Sequence, residues 1–341
     1  MDWRRFRDLM PITRRWVYLD HSAVAPLPKP SAQAIARWSQ QAAGEGDTVW
    51  PQWYRRVGEV RQRAARLLNA SVEEIALVPS TTSGISLVAE GYPWQAGDNV
   101  VTLENEFPSN LYPWMNLADR GVQLRSVVAP GGRVELDRLA DACDARTRIV
   151  AISWVGYASG WRIDVAELAR LAHDQGALLL LDAIQGLGVF PLDVQRANVD
   201  FLAADGHKWL LGPEGAGLFF LRREHLDLLR PLGVGWHSVR DPFDFGHVDY
   251  QLRREAARYE GGSQNMVGFI GLGASLDLLT ELGLAADVSP LADRVLQLTQ
   301  LAMTGLRSIG AEILSPRDDR HRAGIVTFRV PDRSPEELRR R

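Results

Sequence analysis

The sequence predicts an α/β protein built as one large domain with a smaller one. Leu178–Leu181 and Phe201–Ala204 are continuous apolar runs bounded by polar residues, the pattern of strands buried on both faces. Polar groups gather directly after them, at Asp182, Gln185 and Asp205-Gly206-His207-Lys208, where open α/β sheets bind ligands. At 341 residues the chain is long enough to bury a sizeable core.

Composition narrows the function classes. Hydrophobic residues make up 46% and charged residues 24%, ordinary for a soluble enzyme. A net charge of −3 gives no basic surface for nucleic acid. No apolar run reaches about 18 residues, so no membrane span is expected. The amino terminus is charged and lacks the apolar core of a secretory signal. Cys143 is the sole cysteine, which excludes an internal disulfide and makes the cytoplasm the expected compartment. Without C-x-x-C or H-E-x-x-H, no metal site is expected.

Along the chain, Val17–Leu19 reads as a short strand leading into Asp20-His21-Ser22-Ala23. A helix begins at Pro30, and Asp47–Trp53 is an aromatic-rich connection of the kind found in cores or interfaces. Tyr54–Leu68 keeps Val57, Val60, Ala64 and Leu67 on one face, an amphipathic helix. Ile75–Val78 reads as a strand, followed by Ser80-Thr81-Thr82-Ser83-Gly84 and a helical periodicity. Strand, hydroxyl residues, then helix makes an anion site, because the first helical N–H groups are unpaired and the dipole favours negative charge. A plain helix cap would leave the same trace.

Val100–Leu103 and Val122–Val128 read as strands, and Leu136–Cys143 as a short helix with Cys143 a small core hydrophobe. Ile149–Trp154 is a strand ending near Tyr157. Arg162 precedes the helix Val165–His173 as a candidate carboxylate binder. The glycines after Gly212 are spaced G-x-x-G-x-G, not the dinucleotide fingerprint. Leu218–Leu221 is a strand, Pro231–Asp249 is irregular, and Val267–Leu279 is a helix with a small-residue face. Asp287–Leu306 is helical, and Gly324–Val330 is a strand. Ser334-Pro335-Glu336-Glu337 starts a further helix. The chain stops at Arg341, so the small domain is expected to be incomplete.

Lys208 carries the chemistry. The chain has 39 Lys plus Arg, yet only Lys29 and Lys208 are lysines. Arginine holds its proton, whereas a buried lysine can lose one and become a nucleophilic amine. Lys29 sits between prolines and reads as a turn residue. Asp182 ends a buried strand, where a carboxylate is costly unless a partner takes its charge or it caps a helix. A pyridinium nitrogen is such a partner: pyridoxal phosphate needs a lysine to hold it and a carboxylate at its ring nitrogen.

The stretch Ala177–Trp209 resembles the fold-type I pyridoxal-phosphate enzymes of the class V aminotransferase group. That group includes cysteine desulfurases, selenocysteine lyases and kynureninases. The likeness runs from Tyr18 to about Arg329. It implies a large, mostly parallel-sheet domain over residues 21–280, a small α+β domain over 281–341, and a segment 1–20 joining the latter. It further implies that Lys208 forms the Schiff base, Asp182 pairs with the ring nitrogen and Gln185 bonds the ring's 3-oxygen. By the same likeness Thr81, Thr82 and Ser83 hold the phosphate with His207 near it, Phe107 stacks on the ring, and His21, Tyr157 and Arg162 face substrate.

Gly262 and Ser263 would reach the partner's phosphate in a homodimer with shared sites. Three positions depart from the desulfurase pattern: Phe107 replaces a histidine, Tyr157 an asparagine and Asp205 a serine. Asp205 is expected to point away from the phosphate or to pair with an arginine. The implied activity is transfer or lyase chemistry on an amino acid. The alternative is a cofactor-binding protein with weak catalysis and an interaction role.

Overall fold

The computed structural model describes residues 2–339. Nine strands are formed: β1 (Ile75–Val78), β2 (Asn99–Leu103), β3 (Gln123–Val127), β4 (Thr147–Ser153), β5 (Leu178–Asp182), β6 (Phe201–Asp205), β7 (Gly217–Leu221), β8 (Glu312–Ile313) and β9 (Phe328–Arg329). The helices are α1 (Trp3–Asp8), α2 (Lys29–Gly44), α3 (Trp50–Leu68), α4 (Thr81–Gly91), α5 (Tyr112–Met115), α6 (Leu136–Ala142), α7 (Val165–Asp174), α8 (Met266–Glu281), α9 (Pro290–Ser308) and α10 (Pro335–Arg339).

Seven strands form one sheet in the order β1-β7-β6-β5-β4-β2-β3. Neighbours from β3 to β6 are parallel, and β7 is antiparallel to both β6 and β1. β1 therefore runs the same way as β6. Both faces of the sheet are covered. Ile75, Leu77, Val150, Ile152, Leu179, Leu181, Leu202 and Phe220 pack into one core. Ala76, Val78, Ile149, Ala151, Leu180, Phe201 and Phe219 pack into the other. Successive side chains point to opposite faces, so a strand buried on both sides must be apolar throughout.

α8 packs against α2 and α3 through its small residues. A Cβ added at Gly271 would lie 2.9 Å from Ile35, and Ser31 donates to the Gly271 carbonyl at 2.9 Å. Glu260 is buried where β1, α3 and the loop before α8 meet. It accepts from Arg61 at 2.7 Å and from the Leu77 amide at 2.9 Å. Breaking a buried ion pair by removing one partner leaves an uncompensated charge. Glu260→Ala is therefore expected to cost about 3–5 kcal/mol in denaturant unfolding. An effect below about 1 kcal/mol, the usual value of an exposed pair, would mean that the pair is solvated.

Several expected boundaries shift. Val17–Leu19 forms no strand and joins no sheet, and Val17 and Leu19 are exposed. Its strand-like residues lack a neighbouring edge to pair with. Only Phe328–Arg329 of the expected strand 324–330 is paired, with β8. The expected connection 47–53 is instead a 3₁₀ turn (Gly46–Val49) running into α3, which starts at Trp50 with Pro51 in its first turn, a position that tolerates proline. The helix read from Leu136 ends at Ala142, leaving Cys143 as its cap. No helix follows Asp182, so the capping reading of that carboxylate does not apply.

Candidate active site

The carboxyl ends of β1, β2, β4, β5 and β6 share one edge of the sheet, because β1 and the parallel strands run in one direction. A cavity of about 550 Å³ opens there. It is lined by Ser80, Thr81 and Thr82 after β1, Phe107 and Ser109 after β2, Tyr157 after β4, Asp182 and Gln185 from β5, and Asp205, His207 and Lys208 from β6. Residues more than 100 positions apart in sequence are thus joined by strand order alone.

Lys208 is 8% exposed. Burial pulls its amine below the ordinary lysine range, against the opposing pull of Asp182, Asp205 and Asp20. Phe107 lies beneath it, with the ring centroid 5.5 Å from Nζ. Phe107 meets the Tyr157 ring edge-on at 5.3 Å. Asp182 is 2% exposed and accepts the Ile184 amide at 3.1 Å. Desolvation pushes its carboxyl up to about 6, and the nearby Lys208 only partly offsets this. A buried carboxylate driven toward its neutral form gains most from a cationic N–H donor brought by a ligand.

At the start of α4 the Ser80 side chain caps the Ser83 amide at 3.1 Å. Thr81 Oγ1 accepts the Asp205 amide at 2.8 Å, which leaves its hydroxyl proton to donate into the cavity. Thr82 Oγ1 donates to Ser109 Oγ at 2.8 Å. The first-turn N–H groups have no intrahelical acceptor. Hydroxyls, free amides and the dipole make an anion cradle. Ser83 Oγ instead pairs with Ser80 Oγ at 2.9 Å, and Ser80 lines the cavity where Ser83 does not.

Asp205 pairs with no arginine among the described residues. It lines the cavity, where Oδ1 accepts the Gly206 amide at 2.6 Å. His207 Nδ1 lies 3.0 Å from Oδ2 without the alignment of a hydrogen bond. The Gly206 amide is thus the hydrogen-bond donor that the Asp205 carboxylate has among the described residues.

Gln185 Nε2 donates to the Ser22 carbonyl at 2.9 Å, and Oε1 accepts from Trp209 Nε1 at 3.0 Å. With Ala25 N–H on the His207 carbonyl at 2.8 Å, this pins residues 22–25 over the site. His21 stacks on Trp209 at 5.6 Å and is not part of the cavity wall, where Ser22, Ala23 and Val24 stand. Arg162 lies over Phe190 and donates to the Asp319 carbonyl at 2.7 Å, so it faces the turn at Asp319 and is not part of the cavity wall. Gly262 and Ser263 line a separate aromatic cavity of about 380 Å³ with Trp50, Tyr54, Trp236 and Phe243. Cys143 donates to the Leu139 carbonyl, and burial pushes its thiol up, the opposite of an activated nucleophile.

Sequence reasoning placed Ser80 in the hydroxyl run before α4 but did not single it out, and it missed Ser109 and Glu106. Ser109 is a lone serine whose place beside Thr82 only the fold provides. Glu106 gave no signal of its own in Glu104-Asn105-Glu106, because only the fold buries it.

These residues fit pyridoxal phosphate: an amine, a buried carboxylate without a strong donor, an aromatic face and an anion cradle bound one cavity. A family model described as aminotransferase class-V matches residues 17–340. The chain is 35% identical to a probable cysteine desulfurase of Methanothermobacter thermautotrophicus, over 97% of this chain and 82% of that protein. It is 34% identical to a cysteine desulfurase of Klebsiella pneumoniae, over 96% and 82%. The apo structure of a cysteine desulfurase from Thermococcus onnurineus NA1 is similar with a TM-score of 0.86 and 27% identity, covering 98% of this chain and 84% of that one. A C-DES variant with glycine covalently linked to its PLP cofactor shares the fold, with a TM-score of 0.88 at 22% identity over 98% and 88%.

Proposed function

The chain belongs to the class V aminotransferase family of fold-type I enzymes, and on that premise we propose that Lys208 and Asp182 are its catalytic pair in cleavage at the Cβ of a cysteine-type substrate. It is a pyridoxal 5'-phosphate enzyme acting on an amino acid. The observation that carries the pairing is the joint burial of one lysine and one carboxylate, beside an aromatic ring and a helix amino terminus, in a single cavity. The substrate class rests on the names of the relatives.

When bound, the cofactor supplies a ring that takes up the electron pair released at the substrate Cα. Asp182 holds the proton at the ring nitrogen. Thr81 and Thr82, with their amides, hold the phosphate. Phe107 covers one ring face but cannot move a proton. Lys208 would hold the cofactor through its amine, and the lowered proton affinity that burial gives that amine suits it to take the substrate Cα proton. Tyr157, at the mouth, orients substrate. Cys143, the half-buried cap of α6, lies outside the cavity and is not the sulfur acceptor.

Gly262 and Ser263 support a homodimer with shared sites, since they line no part of their own chain's cavity. Sedimentation is expected to give twice the chain mass; a monomer with full activity would end that reading. Among the described residues no helix is long and apolar enough to cross a membrane. The single cysteine favours a cytoplasmic setting.

The test is the visible spectrum before and after borohydride, followed by L-cysteine, selenocysteine, cystine and alanine with sulfide, selenide and keto-acid detection. A band lost on reduction, with sulfide or selenide released from a cysteine-type substrate, is the expected result. Keto acid from alanine alone would replace the lyase reading with transamination.

A further inference from the structure

Glu106 is 5% exposed, lies just past β2 and is not itself part of the cavity wall. Its Oε1 accepts the Ser153 amide at 2.8 Å, and Oε2 accepts the Ser153 hydroxyl. Asn110, four residues on, lies near the same carboxyl group and lowers its proton affinity slightly. Asn110 is itself held, accepting from Trp114 Nε1 at 3.0 Å and donating to the Ala151 carbonyl at 3.3 Å. Ser153 stands opposite Asp182 in the β4–β5 register, and the Trp154 amide donates to the Asp182 carbonyl at 2.8 Å.

Phe107 follows Glu106 directly and is 42% exposed, so packing alone does not fix its ring. Every group that donates to Glu106 is neutral, and burial with the nearby Asp182 pushes its carboxyl up to about 7. An acid kept in such a place costs stability, and a purely structural position would be served better by an apolar side chain.

We propose that Glu106 is a positioning residue: it ties the segment carrying Phe107 to the end of β4 beside Asp182. It thereby sets the gap between aromatic face and carboxylate that receives the pyridine ring. This rests on the reading of the site given above. Among the described residues, the other hydrogen bond from this loop to β4 is the one from Asn110 to the Ala151 carbonyl. Removing the Glu106 carboxylate frees the Phe107 backbone to move relative to β5.

The experiment measures pyridoxal phosphate affinity by tryptophan quenching, the visible circular dichroism of bound cofactor, and apo-protein melting. Wild type, Glu106→Ala, Glu106→Gln, Ser153→Ala, Phe107→Ala and the Glu106→Ala/Phe107→Ala double variant are compared. Glu106→Ala is expected to weaken binding by about tenfold or more and to diminish the dichroic band. Glu106→Gln keeps an acceptor for the Ser153 amide and should stay within about threefold of wild type. Ser153→Ala should weaken binding in the same sense and serves if Glu106→Ala does not fold. In the Phe107→Ala background the Glu106→Ala change should add less than about threefold, since two residues acting through one contact are not additive.

The proposal is overturned if Glu106→Ala and Ser153→Ala lower melting alone, with affinity and dichroism unchanged. It is overturned equally if the two losses multiply in the double variant. A wild type that binds no cofactor would instead sink the reading of the site itself, and Glu106 with it.

Discussion

Lys208→Ala should reduce amino-acid turnover by about 10⁴-fold or more while leaving a folded protein. The side chain is buried at the cavity floor, and no other lysine lies near: Lys29 starts α2, away from the cavity wall. Lys208→Arg should be just as inactive. It keeps a positive charge beside Asp182, but a guanidinium retains its proton and offers no nucleophilic amine. The pair of variants separates charge from chemistry. Turnover assays with the borohydride-reducible band check both, and activity above about 1% in Lys208→Arg would show that the amine is not the reacting group.

Asp182→Asn carries the second large effect, in opposite directions for activity and apo stability. Turnover should fall by about 10³-fold, since a neutral amide does not hold the proton at the ring nitrogen. The apo protein should become more stable above pH 6. The folded carboxyl titrates at about 6, above its unfolded value of about 3.9. The folded state therefore binds more protons between those values, and apo stability drains away as pH rises from about 4 to about 6. Above that window the wild type stands roughly 3 kcal/mol below the variant, and at pH 4 the two converge. Glu106, raised to about 7, extends the same slope upward. Denaturant midpoints of the apo proteins at pH 4.5 and 8 decide the matter. A wild type that gains on the variant as pH rises would mean that Asp182 has a buried cation in the empty site.

Such a cost is expected where a site is organised for a ligand. The carboxylate that destabilises the empty fold is the one that gains most from a cationic ring, so cofactor binding and stability are linked. A thermal shift on adding cofactor should therefore be larger at pH 8 than at pH 5.

The strands, the two-faced burial and the order of helices followed from local pattern. An apolar run such as Leu178–Leu181 admits one environment, and the small-residue face of α8 admits close packing. Lys208 stood out because it is one of two lysines, and Asp182 because it ends such a run. Those signals are chemical and local, so one dimension holds them. Tertiary structure alone decided which groups meet. It left Ser83 on Ser80, turned Arg162 toward Asp319, set Ser109 beside Thr82 and buried Glu106 against Ser153. It also withheld a partner from the strand-like Val17–Leu19. Each outcome depends on strand order and on which edge lies adjacent, distances that no spacing along the chain encodes. A polar residue in a loop reads the same whether solvent or a second strand receives it, and only the packed sheet makes the difference.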